Sequence, residues 1–92
     1  MNEDEVVVVP IEDSIDLHTF RPEEVPLLLN DYFQACREKG FKEVRVIHGK
    51  GTGILRAGVI SFLEKSSLVE SYHQAMPERG GWGATIVRLK SL

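Results

Sequence analysis

A single α/β domain, with βαβαββ order in two layers and a four-stranded mixed sheet, is the fold this sequence predicts. Three observations lead there. Short apolar runs of strand-like composition alternate with two segments whose apolar residues recur at helical spacing. A glycine-rich turn, His48-Gly49-Lys50-Gly51-Thr52-Gly53, joins one such run to the second helical segment. The length, 92 residues, suffices for one modest core and not for two.

The elements follow in order. Residues 1–13 begin acidic (Glu3, Asp4, Glu5) and continue into Val6 to Val9, an N-terminal arm or extra strand that Pro10 interrupts. Residues 14–92 form the domain proper. Residues 14–18 read as a short strand with Ile15 and Leu17 on one face. Arg21-Pro22-Glu23-Glu24-Val25-Pro26 carries helix-start signals, a proline in the first turn beside two acids, and admits a start at Pro22 or at Pro26. Val25, Leu28, Leu29, Tyr32 and Cys36 then keep helical spacing, and Lys39-Gly40 ends the helix. Residues 44–47 are the second strand. Residues 54–65 are the second helix, burying Leu55, Val59, Phe62 and Leu63. Residues 69–74 alternate Val69, Ser71 and His73 against Glu70 and Tyr72 as the third strand. Residues 77–83 form a loop, and residues 84–89 the last strand.

Composition narrows the function classes. No apolar run approaches the roughly 18 residues of a membrane span. A signal peptide would begin basic where this chain is acidic, and the lone Cys36 falls in the apolar register of a helix, as a buried thiol does. The expected compartment is the cytoplasm. The net charge of −3 is unevenly spread: residues 1–20 hold six acids and no Lys or Arg, whereas the remaining 72 hold eight acids and eleven bases. A phosphate-binding face answers to the local field rather than to the total.

The turn at 48–53 is the most informative segment. Glycines admit positive φ and close approach, successive amides of such a turn form an anion-binding nest, and the start of the second helix adds its partial positive charge. A phosphate is the natural occupant. The segment is neither a Walker P-loop nor G-x-G-x-x-G: Val44 stands where the former needs its first glycine, and Arg56 where the latter needs its last. Strand-helix-strand units run their strands parallel, and ligands bind beyond the carboxyl ends of such strands. Asp16-Leu17-His18 ends the first strand, His48-Gly49-Lys50 ends the second, and the Gly80–Gly83 loop follows the third if that strand runs the same way.

Those three motifs, in this order and spacing, resemble the Smr (small MutS-related) domain: Asp16-Leu17-His18, then His48-Gly49-Lys50-Gly51-Thr52-Gly53, then Gly81-Trp82-Gly83-Ala84-Thr85. The likeness covers about residues 14–90. It implies a fold similar to the C-terminal domain of translation initiation factor three, and binding of nucleic acid, DNA or RNA. In several members it further implies endonuclease activity, the alternative being a non-catalytic nucleic-acid-binding module. Many active members have glycine after Asp-Leu-His, where this chain has Thr19.

The chemistry distributes as follows. Phosphodiester cleavage needs a group that moves a proton and donors for the charge that builds on the phosphate. Asp16 and His18 are the catalytic candidates, with a divalent cation (Mg²⁺ or Mn²⁺) at Asp16 left open. The structural alternative has Asp16 capping the turn and His18 packed against it. His48, Lys50 and Arg56 are candidate cationic contacts, with the amides of Gly49, Gly51, Thr52 and Gly53 as the nest. In the last motif Gly81 and Gly83 flank Trp82, a candidate stacking platform for a base or ribose, with packing over the sheet edge as the equal alternative. Arg79 is a further phosphate candidate. His73 reads as structural, and no zinc spacing is present.

Overall fold

The computed structural model describes residues 11–91. The chain runs β1 (Ser14–Asp16), α1 (Val25–Glu38), β2 (Glu43–Ile47), α2 (Ile54–Lys65), β3 (Val69–Gln74) and β4 (Ala84–Leu89), the expected βαβαββ order. The arm expected over residues 6–9 lies outside the described residues. Residues 11–13 are tied to the domain. Ile11 packs on the core, the Tyr32 hydroxyl donates to the Glu12 carbonyl at 2.6 Å, and the Arg45 N–H donates to the Asp13 carbonyl at 2.8 Å.

Both proline start signals of the first helix are used. Pro22–Glu24 forms a single 3-10 turn, and α1 takes over at Val25 with Pro26 in its first turn, where its missing N–H costs nothing. Glu24 fastens the entry by accepting the Arg21 N–H at 2.8 Å. The helix closes at Lys39, and Gly40 turns away with φ 86°.

The sheet order is β1-β2-β4-β3. β1 pairs parallel with β2, with Ser14 opposite Arg45 and Asp16 opposite Ile47. β4 inserts antiparallel between β2 and β3. Since β2 and β3 both oppose β4, β3 runs in the same direction as β1 and β2. All three therefore end on one edge, which is also where β4 begins. Alternation along the strands sends Val44, Val46, Val87 and Leu89 into one core with Leu29, Phe33 and Cys36 of α1 and Val59 and Leu63 of α2. Both helices thus cover one face. On the other, Ile47, Ala75, Ala84 and Ile86 form a smaller cluster.

Two expectations need revision. The alternation read along the third strand fails because a bulge lies between Val69 and Ser71. Val69 opposite Leu89 and Tyr72 opposite Val87 both face the core, while Ser71 and His73 are exposed. An extra residue in one strand reverses the parity beyond it. The first strand is also shorter than expected. Its ladder ends with the Leu17 N–H donating to the Ile47 carbonyl at 2.7 Å, and His18 lies in the turn beyond.

Phe33 is fully buried, with its ring 5.9 Å from that of Tyr32 and 6.1 Å from that of Phe62, so it ties both helices to the sheet. Phe33→Ala is expected to cost about 3–5 kcal/mol. Urea unfolding followed by circular dichroism checks this; a loss below about 1 kcal/mol would contradict the placement of the core.

Candidate nucleic-acid interface

The turn after β2 is built around two left-handed glycines, Gly49 at φ 79° and Gly53 at φ 85°. Gly53 is the N-cap of α2 and brings no side-chain cap; the only side-chain acceptor at this end is the Thr52 hydroxyl, 3.4 Å from the Ile54 N–H. The first helical bond runs from the Ala57 N–H to the Gly53 carbonyl. An acid in the first turn of a helix is favourable by about 0.3–1 kcal/mol. α2 has none there and carries Arg56 instead. A helix N-terminus left uncapped and flanked by a cation is arranged for an external anion.

The nest is smaller than expected. The His48 and Gly49 amides both donate to the Gly83 carbonyl, at 3.0 and 2.9 Å. Within residues 48–53, the amides from Lys50 to Gly53 are the ones with no acceptor among the described residues. Gly81 and Gly83 also offer no amides, because they donate to the carbonyls of Met76 and Gly80. Gly83 serves instead by lacking a side chain: a Cβ there would lie 3.3 Å from the Lys50 side chain and 3.5 Å from the Gly49 backbone.

His48 is not the exposed cation that the sequence suggested. It is buried, its Nδ1 donates to the Gly49 carbonyl at 3.1 Å, and its Nε2 accepts from the Thr85 hydroxyl at 2.9 Å. Burial pushes its pKa below the ordinary imidazole value; the bond to Gly49 opposes this, and the Arg56 charge adds a little. His48 is a neutral strut under the turn.

Asp16 and His18 meet by a route other than strand alternation. The Asp16 carboxylate accepts the backbone N–H of His18 at 3.0 Å and its ring Nδ1–H at 2.6 Å, both on Oδ1. These two bonds hold the carboxyl below its usual range, the backbone bond first. The turn-capping alternative is thus realised, and it leaves the ring of His18 oriented by the carboxylate. With Nδ1 committed, the exposed ring presents Nε2, which has no partner among the described residues.

Trp82 stands 47% exposed in the 3-10 turn Gly81–Gly83, with the Arg56 guanidinium 4.2 Å from its ring centre. The last motif is thereby coupled to the first turn of α2. Arg79 points elsewhere. In the 3-10 turn Pro77–Arg79, its guanidinium lies 3.8 Å from the Glu43 carboxylate at the opposite end of β2, so it does not join the turn at residues 48–53.

An open cleft of about 400 Å³ is lined by His18, His48, Gly49, Gly51, Thr52, Gly53 and Arg56; Trp82 meets it through Arg56. The cleft also takes in Phe20, Pro22, Ile54 and Leu55, which sequence reasoning did not assign to the site. Phe20 is 38% and Ile54 61% exposed. The signal was available: both are large apolar residues at or immediately beyond the end of a motif. Asp16 reaches the cleft only through His18. Lys50 stands on its shoulder against Gly83. Among the described residues, no three His, Cys, Asp or Glu side chains come together, and no helix is long and apolar enough to cross a membrane.

The family profile described as Smr domain matches residues 15–90. The chain is 44% identical over 80 residues to the Endonuclease MutS2 of Leuconostoc mesenteroides, covering 87% of this chain and 10% of that protein. It is 36% identical over 80 residues to the Endonuclease MutS2 of Staphylococcus saprophyticus, with the same coverage. The chain thus spans about a tenth of the length of these relatives. Among solved structures it resembles the Smr domain of Thermus thermophilus MutS2, with a TM-score of 0.81 at 34% identity over 86% of this chain and 99% of that one. It also resembles YdaL, a stand-alone small MutS-related protein from Escherichia coli, with a TM-score of 0.80 at 31% identity over 89% of this chain and 67% of that one.

The His48 strut has a pH signature. Its pKa is lowered on folding, so the unfolded chain binds the proton first. Stability is complete above the ordinary value of 6.5 and declines as pH falls from there through the lowered value. Urea midpoints taken between about pH 7.5 and 5 should fall for the wild type and flatten for His48→Gln over that interval. Parallel profiles for the two proteins would remove His48 from this role.

Proposed function

As the chain belongs to the Smr domain family, we propose that it binds nucleic acid at the cleft and cleaves a phosphodiester bond there. The observation that carries this reading is the Asp16–His18 pair beside an uncapped helix N-terminus: an oriented base and an anion cradle on one edge of the sheet. The backbone phosphate sits against the amides of Gly51, Thr52 and Gly53, with Arg56 and Lys50 supplying charge. Trp82, with Arg56 on one face, offers its other face to a base or ribose.

The step follows from the geometry. Asp16 fixes the His18 tautomer, so Nε2 carries a lone pair toward the cleft. His18 takes a proton from the attacking hydroxyl, which is water or, in RNA, the neighbouring 2′-OH. That oxygen bonds to phosphorus, and the bond to the leaving oxygen breaks. Solvent, admitted by the open cleft, protonates the leaving oxygen. The freed amides of the turn and Arg56 hold the charge that builds on the phosphate oxygens. A divalent ion at Asp16 would rest on the second carboxylate oxygen and on substrate phosphate oxygens, because Oδ1 already accepts twice from His18. No step is routed through a metal.

Two tests separate chemistry from binding. His18→Ala and Asp16→Ala should each reduce cleavage of labelled single-stranded, branched or structured substrates by about 10²-fold or more, with the dissociation constant changed less than about twofold. EDTA should leave the wild-type rate unchanged. Wild-type rates in both variants would sink the mechanism. A wild type that cuts neither DNA nor RNA with EDTA, Mg²⁺ or Mn²⁺ would leave a binding module, with Thr19→Gly the next exchange.

Lys50→Ala should act oppositely, weakening binding and lowering the slope of log affinity against log salt by about 0.7–0.9, one phosphate's worth. Trp82 is the one tryptophan of the chain, so its fluorescence reads the same titration. An unchanged salt slope in Lys50→Ala would take Lys50 out of the interface.

A further inference from the structure

On the far side of Phe20 from the cleft, the start of α1 presents a second concavity. It is about 440 Å³ and is lined by Phe20, Glu23, Glu24, Leu27, Leu28 and Asp31. Its floor is apolar and open: Leu27 is 71% and Phe20 38% exposed, whereas Leu28 is half-buried against the core. Phe20, Leu27 and Leu28 lie together as an apolar patch rather than as single exposed side chains. The rim is acidic. Among the described residues, Glu23, Glu24 and Asp31 have no cationic partner, and Glu24 spends one oxygen on the Arg21 N–H.

We propose that this groove docks a basic amphipathic segment of a partner protein. The charges decide the occupant. A helix or extended segment with apolar residues on one side seats them on Phe20, Leu27 and Leu28, while its lysines or arginines meet Glu23, Glu24 and Asp31. Nucleic acid is repelled by the same rim. A second copy of this chain docked face to face would set carboxylate against carboxylate. The chain's own first residues carry Glu3, Asp4 and Glu5 and no base, so they bring the wrong sign. Phe20 is a wall of both cavities, so the docked segment lies beside the cleft.

The test uses the full chain, ¹⁵N-labelled, and two synthetic peptides of about 14 residues, or four helical turns. One carries leucines at i, i+3, i+4 and i+7 with lysines elsewhere; its twin replaces every lysine by glutamate. The basic peptide should shift amide signals within residues 20–31, and the acidic twin should not. Leu27→Ser and Phe20→Ser should each weaken the basic peptide by about tenfold or more. Both sites are exposed enough that an unchanged spectrum elsewhere certifies the fold. Glu23→Gln combined with Asp31→Asn should weaken it and flatten its salt dependence. Equal binding of the two peptides, shifts centred outside residues 20–31, or no shift at millimolar peptide would overturn the proposal. So would contacts in the free protein between the Leu27 methyls and residues 6–9, which would give the groove to the chain's own start.

Discussion

One carbonyl organises this molecule's working edge. Gly83 O accepts from both His48 and Gly49, and so staples the end of β2 to the beginning of β4. The approach is possible because Gly83 has no Cβ to intrude on Lys50 and Gly49. From that staple the rest follows. The two amides after β2 are satisfied by β4, and those from Lys50 to Gly53 have no acceptor among the described residues. The buried His48–Thr85 bond lies directly beneath and joins the same two strands through their side chains. Backbone and side-chain links across one strand pair make the turn a fixed surface rather than a loose loop.

A fixed surface can then carry an electrostatic mismatch. A glycine cap, no acid in the first turn and Arg56 in its place each work against the isolated helix. They are tolerable because α2 is held by burial of Val59 and Leu63 rather than by its own ends. An anion bound at that end, as proposed above, would offset all three.

Much of the edge was legible in the sequence. Helix α2 and strands β3 and β4 fall where periodicity and glycine punctuation put them, because those signals are local. The gathering of three motifs on one edge followed from strand direction alone. What the sequence hid depends on side-chain burial and on hydrogen-bond pairing across strands. His48 and Lys50 look equivalent in a glycine-rich turn, yet one faces Thr85 in the interior and the other faces water. Arg79 looks like a neighbour of Trp82, but its guanidinium reaches Glu43. The bulge after Val69 is invisible because Val-Glu-Ser-Tyr alternates acceptably in either register. Phe20 ends the first motif, and only the folded chain shows it exposed as a wall of the cleft.

The Asp16–His18 pair shows why geometry says more than stability at such a site. The two groups are 49% and 65% exposed, and an ion pair so exposed contributes little to folding in water. Its 2.6 Å bond matters for a different reason. A free imidazole divides between two tautomers and many orientations, whereas this one is held by a carboxylate that also grips its backbone, two bonds from one oxygen. The cost is a negative charge near a phosphate cradle. That charge is partly spent on the two His18 donors, which hold the carboxyl ionised below its usual range. What faces the cleft is a ring nitrogen of defined direction rather than the carboxylate itself. An acid can therefore serve the phosphate site proposed above without occupying the phosphate's place.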